Sequence, residues 1–584
     1  MEIKINRNII WAKVFVEQLV RLGVKEACVS PGSRSTPLTY AIAANKNIKS
    51  TVNVDERSSA FFALGLAKQT SAPVLVVTTS GTAAAELYPA IIEAYQSRVP
   101  LIICTADRPS YLRNRGANQT INQDNIYKNH IRYYAGLTLP EVTVKDFASL
   151  KRETAKAFRK CSIENRGPVH INMPFEKPFE PDSYTDILSA RLMDKIWSFR
   201  SIDTAEAKKD IKIEKEIKAL AARAGKIEKG LILCGPGTYS EAERKQISLL
   251  SKKTGYPVAA DGASGLRAGA FTVENLIPNF TSLCKSKQFT SLHAPEMIIQ
   301  FGSAPTSASV LDFYRNSKAV KYLVNGYGDW TDPSLTSNKL IKCNIEYFCR
   351  AFIKSKASRS AKRKWLNKIK SFDSSIGKLK DNYINNQPFP FEGRIVNEII
   401  SSLPAKCNLV ISNSLPVRDF DSFAGVTGKQ INLFTNRGAS GIDGIISTAL
   451  GIAARSKDAT YLVIGDLAFY YDLNALSAGV KNSISLKIIV VNNNGGGIFE
   501  HLPIASYPNV FTEYFKTPLN VDFERLSEAH GCSYSLIEQW TSFRKEIKDF
   551  RMRGLIEVTE IKTDSTESLG LRRNFWNSID SVID

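Results

Sequence analysis

Histidines, cysteine pairs and long apolar runs are scarce in this sequence. Only five histidines occur in 584 residues, which argues against imidazole-rich metal chemistry. The nine cysteines form no C-x-x-C pair, so we expect reduced, mostly buried thiols, as in a cytoplasmic protein, rather than a disulfide scaffold or a thiolate zinc site. No apolar run approaches the roughly 20 residues of a membrane-spanning helix, and the first residues lack the basic head and apolar core of a secretory signal.

The rest of the composition is that of a folded globular chain. Hydrophobic residues make up 43% and charged residues 23%, which excludes the disordered, collagen-like and fibrous classes. At about 150 residues per domain, the length suggests three or four domains, or one fold repeated. We expect no insertion into a membrane.

Positive charge is in excess, because 77 Lys and Arg residues outnumber 57 Asp and Glu residues. Such an excess suits either anionic substrates or nucleic acid. The nucleic-acid alternative depends on Lys354–Lys370, where eight basic residues occur without an acidic one. Apolar residues at Trp365, Leu366 and Ile369 favour a solvated helix there instead, and the other basic residues are dispersed. We therefore predict anionic substrates and no nucleic-acid partner.

Strand and helix patterns alternate along three segments of the chain. Short runs rich in β-branched residues end in polar or glycine-rich turns, and helical patterns follow them. Apolar strands that alternate with helices indicate parallel sheets covered on both faces. The predicted strands are Ala27–Ser30, Thr51–Asp55, Pro73–Thr79 and Leu101–Thr105 in the first segment, Leu231–Cys234, Val258–Ala260 and Met297–Phe301 in the second, and Leu409–Ser412, Tyr461–Ile464 and Leu486–Val491 in the third.

These patterns predict an α/β protein of three consecutive parallel-sheet domains. We place the domains at 1–185, 205–355 and 390–584, with an aperiodic linker of mixed charge over 181–215. Ligands of open parallel sheets bind at the carboxyl ends of the strands. The turns that follow the predicted strands are therefore the places where a site is expected.

Two neighbouring strands of the third segment end in side chains that carry oxygen ligands. Asp466 ends one apolar strand, and Asn493 ends the next one, 27 positions later. Carboxylate, amide and carbonyl oxygens are the ligands that Mg²⁺ prefers. We predict a site for Mg²⁺, with Mn²⁺ as an alternative, formed by Asp466, Asn493 and the carbonyl of Gly495. The weaker alternative is that these side chains only cap the ends of their strands.

A glycine-rich turn leads into another predicted helix of the third segment. Residues 437–444 read RGASGIDG and precede the helical run Ile445–Ala454. Backbone N–H groups at the start of a helix suit a diphosphate, although any tight turn can produce the same pattern. Together with the metal motif, the turn predicts a diphosphate site.

The two motifs together resemble the cofactor-binding motif of the thiamine diphosphate-dependent enzymes of the pyruvate-decarboxylase-like superfamily. The first segment carries a second match, DERSSA at 55–60, which continues to GLA at 65–67. In that superfamily a glutamate at this place, here Glu56, hydrogen-bonds the aminopyrimidine ring and assists removal of the reactive proton. The resemblance implies a thiamine diphosphate-binding fold in the first and third domains. It also implies a homodimer or homotetramer, in which Glu56 completes the site of the neighbouring subunit.

The same resemblance implies further cofactor contacts. Ile442, beside Gly441, matches the apolar residue that wedges under the cofactor in that superfamily. Ile498, Phe499 and Leu502 would form an apolar wall near the thiazolium, and a dry wall favours loss of CO2. Ordinary core packing is the alternative for each of these side chains.

Several other stretches resemble one branch of the superfamily, which acts in menaquinone biosynthesis and joins isochorismate to 2-oxoglutarate with loss of CO2. The resemblance covers the N- and C-terminal segments in the correct order and is weak in the middle. The stretches are VSPGSRSTP (29–37), TSGTA (79–83), TADRP (105–109), GANQ (116–119), NSLPVRD (413–419), NRGASGIDG (436–444) and NNNGGGIF (492–499).

Both of these substrates are dicarboxylates, and the matching stretches contribute four arginines. The planar guanidinium suits carboxylates, whereas a single arginine is more often a surface ion-pair partner. The resemblance implies Glu56, Gln119 and Arg418 as catalytic residues. Ser33, Arg34, Arg108 and Gln119 would hold isochorismate, Ser414, Arg418 and Arg437 would face the succinyl group derived from 2-oxoglutarate, and Asn118 and Leu502 complete the implied substrate contacts.

The sequence differs from its relatives at one place in the middle domain, and one alternative reaction remains. Relatives often carry a basic residue in the middle domain, but residues 302–309 read GSAPTSAS, which leaves open whether that domain contacts substrate. The rival is another thiamine diphosphate-dependent 2-oxoacid decarboxylase or an acetolactate-type synthase. Those enzymes handle smaller or monoanionic acids and would not need four arginines.

Overall fold

The computed structural model describes residues 2–199, 211–269, 271–355 and 363–583. Residues 356–362 of the basic stretch and residues 200–210 of the predicted linker lie outside the described residues. The described strands form three six-stranded parallel sheets and one two-stranded antiparallel sheet, which confirms the α/β fold of three parallel-sheet units. No helix in the described part of the chain has the length and apolar character needed to cross a bilayer.

The first and third sheets share one strand order. In each of them the first strand lies between the second and the third. The chain therefore continues on one side of the first strand and then on its other side, and this change of side opens a crevice at the carboxyl ends of the strands. In spatial order, the first sheet contains Lys49–Val52, Glu26–Val29, Val74–Thr78, Leu101–Asp107, Val169–Pro174 and Tyr134–Gly136, and the third contains Gln430–Thr435, Lys406–Ile411, Thr460–Gly465, Leu486–Asn492, Ile556–Lys562 and Ser533–Leu536.

The middle sheet has a different order, in which the second and third strands lie on one side of the first strand and the fourth, fifth and sixth lie on its other side. This order is that of the dinucleotide-binding α/β folds, but the order alone assigns no ligand. In spatial order, its strands are Leu276–Ile277, Val258–Ala260, Gly230–Cys234, Met297–Phe301, Val320–Asn325 and Lys339–Lys342.

Helices cover the sheets and connect their strands. The first part of the chain contains Arg7–Arg21, Thr36–Ala43, Glu56–Thr70, Thr82–Glu86, Tyr88–Ser97, Val144–Arg159 and Ala190–Ile196. The middle contains Ile211–Ala224, Glu241–Thr254, Phe280–Leu283, Lys287–Leu292, Ala308–Asn316, Ile345–Lys354 and Lys364–Asn385. The last part contains Glu392–Ser402, Leu415–Phe423, Ile445–Ala453, Asp466–Tyr471, Asn474–Lys481, Pro508–Phe511, Phe523–Ala529, Trp540–Asp549 and Ser565–Asn577.

The predicted linker over 181–215 differs from the structure at both ends. Its last five residues, 211–215, belong to the helix Ile211–Ala224. Asp186–Ser189 is a strand that pairs antiparallel with Glu2–Ile5, and the helix Ala190–Ile196 follows it. Leu188 and Ile196 are buried in the core of the first sheet. Elements of four and seven residues are too short to give a periodic pattern, which is why the sequence suggested a linker.

Two helices join the first and third domains of the chain. Glu56–Thr70 packs against Ile445–Ala453 at a backbone-to-backbone distance that only glycine permits. A Cβ atom on Gly65 would lie 2.0 Å from the carbonyl oxygen of Thr448, and one on Gly451 would lie 2.1 Å from that of Phe62. This contact fixes the middle of the helix Glu56–Thr70 against the third domain.

Candidate active site

A cavity lies at the carboxyl ends of the third sheet, at the crevice where the strand order reverses. All residues that line it belong to the last 200 residues of the chain. They include Glu392, Asn413, Ser414, Ile442, Gly465, Asp466, Asn493, Gly495, Ile498 and Phe499. The structure therefore brings the predicted metal ligands together with the predicted cofactor wedge and apolar wall. Leu502 does not line this cavity and is 49% exposed.

Asp466 is held at the rim of the cavity by two backbone groups. The N–H of Gly495 donates to Oδ2 at 2.6 Å, and the N–H of Leu467 donates to Oδ1 at 2.8 Å. The side chain is only 3% exposed, and this burial raises the pKa of Asp466 to about 6. A cation beside the carboxylate would favour the charged form, since opposite charge lowers the pKa of an acid.

Asn493 lines the same cavity, and its amide oxygen has no partner among the described residues. Its Nδ2 donates to Oε1 of Glu392 at 3.0 Å, whereas Oδ1 is buried and accepts no hydrogen bond from the described residues. Gly495 has φ +133°, and its carbonyl oxygen accepts one hydrogen bond, from Gly497 at 3.0 Å. An orphaned amide oxygen, a buried carboxylate and a carbonyl with a free lone pair fit a hard cation such as Mg²⁺.

The glycine-rich turn 437–444 is fixed from two sides. Nδ2 of Asn413 donates to the carbonyls of Asn436 and Gly441, both at 2.7 Å. The N–H groups of Gly438 and Ala439 donate to the carboxylate of Glu93, at 2.9 and 2.7 Å. Two of the backbone donors that the sequence suggested for a diphosphate are therefore already occupied by a side chain of the first domain.

Glu93 and Lys68 form a buried pair beneath this turn. Glu93 is 3% exposed and lies 3.7 Å from Nζ of Lys68, which also donates to the carbonyl of Thr435 and to Oδ1 of Asn436. Burial lowers the pKa of Lys68, and Glu93 opposes that shift. Side chains of the first domain thus hold the beginning of the turn that carries Arg437 and Ile442.

We expect Glu93→Ala to lower the free energy of unfolding by about 3 kcal/mol, because it leaves a buried ammonium without its counter-charge and two N–H groups without an acceptor. Urea unfolding followed by circular dichroism measures this change. Glu164, whose side chain is exposed on the first domain, provides the control Glu164→Ala, for which we expect less than about 0.5 kcal/mol. Equal effects of the two substitutions would contradict this role of Glu93.

The four predicted arginines form two like-charged pairs. Nη1 of Arg418 donates to the carbonyl of Ser414 at 2.6 Å, and Nη1 of Arg437 donates to Oδ1 of Asn413 at 3.3 Å. The Arg418 side chain remains exposed, yet desolvation by nearby protein atoms, and then the charge of Arg437, lower its pKa. Ser414 has φ +71°, a strained backbone conformation of the kind that occurs at functional sites.

The second pair lies in the first domain. Nη1 of Arg108 donates to Oγ of Ser80 and to the carbonyl of Gln119, both at 2.5 Å. Burial and then the charge of Arg108 lower the pKa of Arg34, whose guanidinium also donates to a backbone carbonyl at 2.6 Å. Ser33 and Asn118 are exposed in the adjoining turns. Within the described residues, none of the four arginines lies within 4 Å of a carboxylate, so their charges are available to an anion.

Glu56 does not line the cavity of its own chain. It is the half-buried first residue of its helix, and burial together with Asp55 and Glu86 raises its pKa. Its neighbour Arg57 donates to the carbonyl of Tyr471 at 3.0 Å, which places this helix start beside the last residue of the helix Asp466–Tyr471. Within one chain, the predicted catalytic acid is thus not among the residues that line the cavity of the predicted metal ligands.

Sequence reasoning missed three buried residues around the site. Glu392, Glu93 and Lys68 each contact a predicted site residue or its turn, but each is separated from it by roughly 100 residues or more along the chain. Their only local signal is a charged residue within an apolar pattern, which is too common to single out a site.

Three family models of thiamine pyrophosphate enzymes match the chain. The N-terminal TPP binding domain matches residues 11–126, the middle domain matches 205–411, and the C-terminal TPP binding domain matches 426–558. Two solved structures have the same fold: benzoylformate decarboxylase from Polynucleobacter necessarius (TM-score 0.67, 15% identity, 95% of this chain and 98% of that one) and 4-hydroxybenzoylformate decarboxylase from Rhodococcus jostii RHA1 (TM-score 0.69, 14% identity, 95% and 99%).

Curated relatives match nearly the whole chain at higher identity. The 2-succinyl-5-enolpyruvyl-6-hydroxy-3-cyclohexene-1-carboxylate synthase of Bacillus cytotoxicus is 37% identical, over 96% of this chain and 95% of its own. The synthases of the same name from Geobacillus kaustophilus and Haloquadratum walsbyi are 34% and 33% identical, each over 98% of this chain and over 97% and 98% of their own lengths.

Proposed function

The chain belongs to the 2-succinyl-5-enolpyruvyl-6-hydroxy-3-cyclohexene-1-carboxylate (SEPHCHC) synthases among the thiamine pyrophosphate enzymes, and on this basis we propose its reaction and the role of its residues. It decarboxylates 2-oxoglutarate and adds the remaining succinyl unit to isochorismate, a step of menaquinone biosynthesis. One observation supports two dicarboxylate substrates. The two arginine pairs, Arg418 with Arg437 and Arg34 with Arg108, have no carboxylate partner within the described residues.

The cofactor is thiamine diphosphate, which supplies the carbon that adds to the keto group and accepts the electron pair as CO2 leaves. We propose that Asp466, Asn493 and the carbonyl of Gly495 hold Mg²⁺ or Mn²⁺, which in turn holds the diphosphate. Ile442 and Gly441 would support the cofactor from below, and the side chains of Ile498 and Phe499 would exclude water from the reacting carbon.

The arginines would bind and orient the two substrates. Arg418 and Arg437, with Ser414, would hold the carboxylates of 2-oxoglutarate, and Arg34 and Arg108, with Ser33, Asn118 and Gln119, would hold isochorismate. Glu56 would hold a proton at the aminopyrimidine ring, and Gln119 and Arg418 would donate hydrogen bonds to the reacting oxygens. We also propose that the exposed Leu502 contacts substrate in the assembled enzyme.

We further propose that the enzyme is a homodimer or homotetramer with its active sites between subunits. The absence of Glu56 from the lining of the cavity in its own chain supports this arrangement, because a second copy would supply that residue. The domains would cover 1–185, 205–355 and 390–584. All nine cysteines are buried and free of disulfides, which supports a reducing, cytoplasmic location.

The reaction is tested by incubating the protein with thiamine diphosphate, Mg²⁺, isochorismate and one 2-oxoacid at a time. We expect release of CO2 and loss of isochorismate absorbance with 2-oxoglutarate, and no comparable reaction with pyruvate. Faster turnover of pyruvate, with or without isochorismate, would support an acetolactate-type synthase or a simple decarboxylase instead.

Each arginine pair should affect one substrate. We expect Arg418→Ala to raise KM for 2-oxoglutarate and Arg108→Ala to raise KM for isochorismate, each by about 10- to 100-fold, because each change removes a charge-assisted hydrogen bond. Steady-state kinetics with one substrate varied at a time separates the two effects. Arg525→Ala, at an exposed helix, is the control and should leave both KM values unchanged. Unchanged KM values in the two site variants would contradict the assignment.

A further inference from the structure

We propose that Glu392 is a positioning residue for the metal site, because its carboxylate fixes which end of the Asn493 amide faces the cavity. The proposal rests on the metal site of the proposed function and adds a residue outside the predicted ligand set. Glu392 begins the helix Glu392–Ser402, is 2% exposed and lines the cavity itself.

Both carboxylate oxygens of Glu392 accept hydrogen bonds from defined donors. Oε1 accepts hydrogen bonds from Nδ2 of Asn493 at 3.0 Å and from Oγ1 of Thr563 at 2.9 Å. Oε2 accepts one from Nη2 of Arg572 at 2.5 Å. Arg572 is 1% exposed, and its Nε and Nη2 also donate to the carboxylate of Asp419, at 2.8 and 2.6 Å. Glu392 is therefore locked in one orientation by three donors.

This arrangement determines the orientation of the neighbouring amide. An amide has one donor end and one acceptor end of nearly equal shape, so only its partners distinguish the two orientations. An ionised carboxylate accepts hydrogen bonds and cannot donate them. Glu392 therefore attracts the NH2 end of Asn493 and leaves Oδ1 as the buried, unpartnered atom of a residue that lines the cavity. The opposite orientation would present N–H groups to a cation and repel it.

The charged groups around Glu392 also favour a cation near Asn493. Glu392 and Asp419 contribute two carboxyl groups that share the guanidinium of Arg572. The carboxylate of Glu392, which contacts Asn493 at 3.0 Å, therefore favours a cation near that amide. Outer partners of this kind orient metal ligands in many sites, and their loss commonly weakens metal affinity by about 10- to 100-fold.

Glu398 provides a matched control on the same helix. It is a buried glutamate that also pairs with arginines, Arg394 at 3.0 Å and Arg544 at 2.6 Å, but it does not contact Asn493. Glu398→Gln therefore reports the effect of neutralising a buried glutamate of this helix, without any effect on the amide.

The test measures Mn²⁺ binding by electron paramagnetic resonance at saturating thiamine diphosphate. We expect Glu392→Gln to weaken Mn²⁺ binding by about 10- to 100-fold, because a glutamine no longer dictates the orientation of Asn493. Glu398→Gln should stay within about twofold of wild type. Thermal unfolding of each variant without ligands records their folding, so that a loss of binding is compared only between folded proteins.

A double variant that exchanges the carboxylate of Glu392 and the amide of Asn493 distinguishes a positioning role of Glu392 from a purely structural one. In Glu392→Gln combined with Asn493→Asp, the glutamine NH2 donates to the new carboxylate, and the other carboxylate oxygen remains free for the metal. We expect this double variant to bind Mn²⁺ at least tenfold more tightly than Glu392→Gln alone. Wild-type affinity in Glu392→Gln, or no recovery in the double variant, would overturn the proposal. Absence of Mn²⁺ binding in the wild-type enzyme would overturn the metal site as well.

Discussion

Replacement of Glu56 by glutamine is expected to lower kcat by about a thousandfold while leaving the fold intact. The carboxyl group is half-buried at a helix start, where burial and two nearby acids raise its pKa, so that it can share a proton with the aminopyrimidine ring. Glutamine has the same shape but cannot exchange that proton. The loss of acid–base assistance of this kind commonly amounts to about 10²- to 10⁴-fold.

The measurement is steady-state turnover of 2-oxoglutarate and isochorismate, together with a far-ultraviolet circular dichroism spectrum. Glu241 offers a matched control, because it is also the first residue of a helix, Glu241–Thr254 in the middle domain. Glu241→Gln should leave kcat unchanged. A Glu56→Gln enzyme with kcat within a few-fold of wild type would show that another group handles the proton.

Replacement of Asp466 by asparagine is expected to weaken metal-dependent binding of thiamine diphosphate by about 100-fold or more. The substitution keeps the size of the side chain but removes the only carboxylate among the three predicted ligands, and a hard cation depends strongly on that charge. Titration of the protein with thiamine diphosphate at fixed Mg²⁺, followed by calorimetry, measures the change.

Asp522 provides the control for this prediction. It caps the helix Phe523–Ala529 by accepting a hydrogen bond from the N–H of Arg525 at 3.1 Å, and asparagine caps a helix equally well. Asp522→Asn should therefore bind the cofactor as wild type does. Wild-type cofactor affinity in Asp466→Asn would exclude this carboxylate from the metal site.

The third sheet shows how much of the site the sequence could predict. Asp466 and Asn493 each follow a strongly apolar strand, and parallel strands that neighbour one another bring their carboxyl ends together. Two local patterns were therefore enough to place both residues at one cavity. Ile442 and Ser414 could be placed in the same way, since each lies in a turn at the same edge of that sheet.

Contacts between distant parts of the chain could not be predicted in this way. Glu93 holds the turn at Gly438 from 345 positions away, and Arg572 holds Glu392 from 180 positions away. Both contacts depend on how helices pack in three dimensions, for which a single sequence carries no periodic signal. The strands Tyr134–Gly136 and Gln430–Thr435 were not predicted, because they are short or half polar. Few of their residues are buried, so they give no apolar pattern in the sequence.

The central claim is that Glu56 of one subunit acts at the cofactor held by Asp466 of another. Mixing the inactive variants Glu56→Gln and Asp466→Asn under conditions that exchange subunits tests it directly. A mixed dimer then has one site with both residues intact and one with neither, and random exchange makes about half of the dimers mixed, so we expect about one quarter of wild-type activity. If each site were built within a single chain, the mixture would contain no intact site, and activity no higher than that of the separate variants would contradict the account.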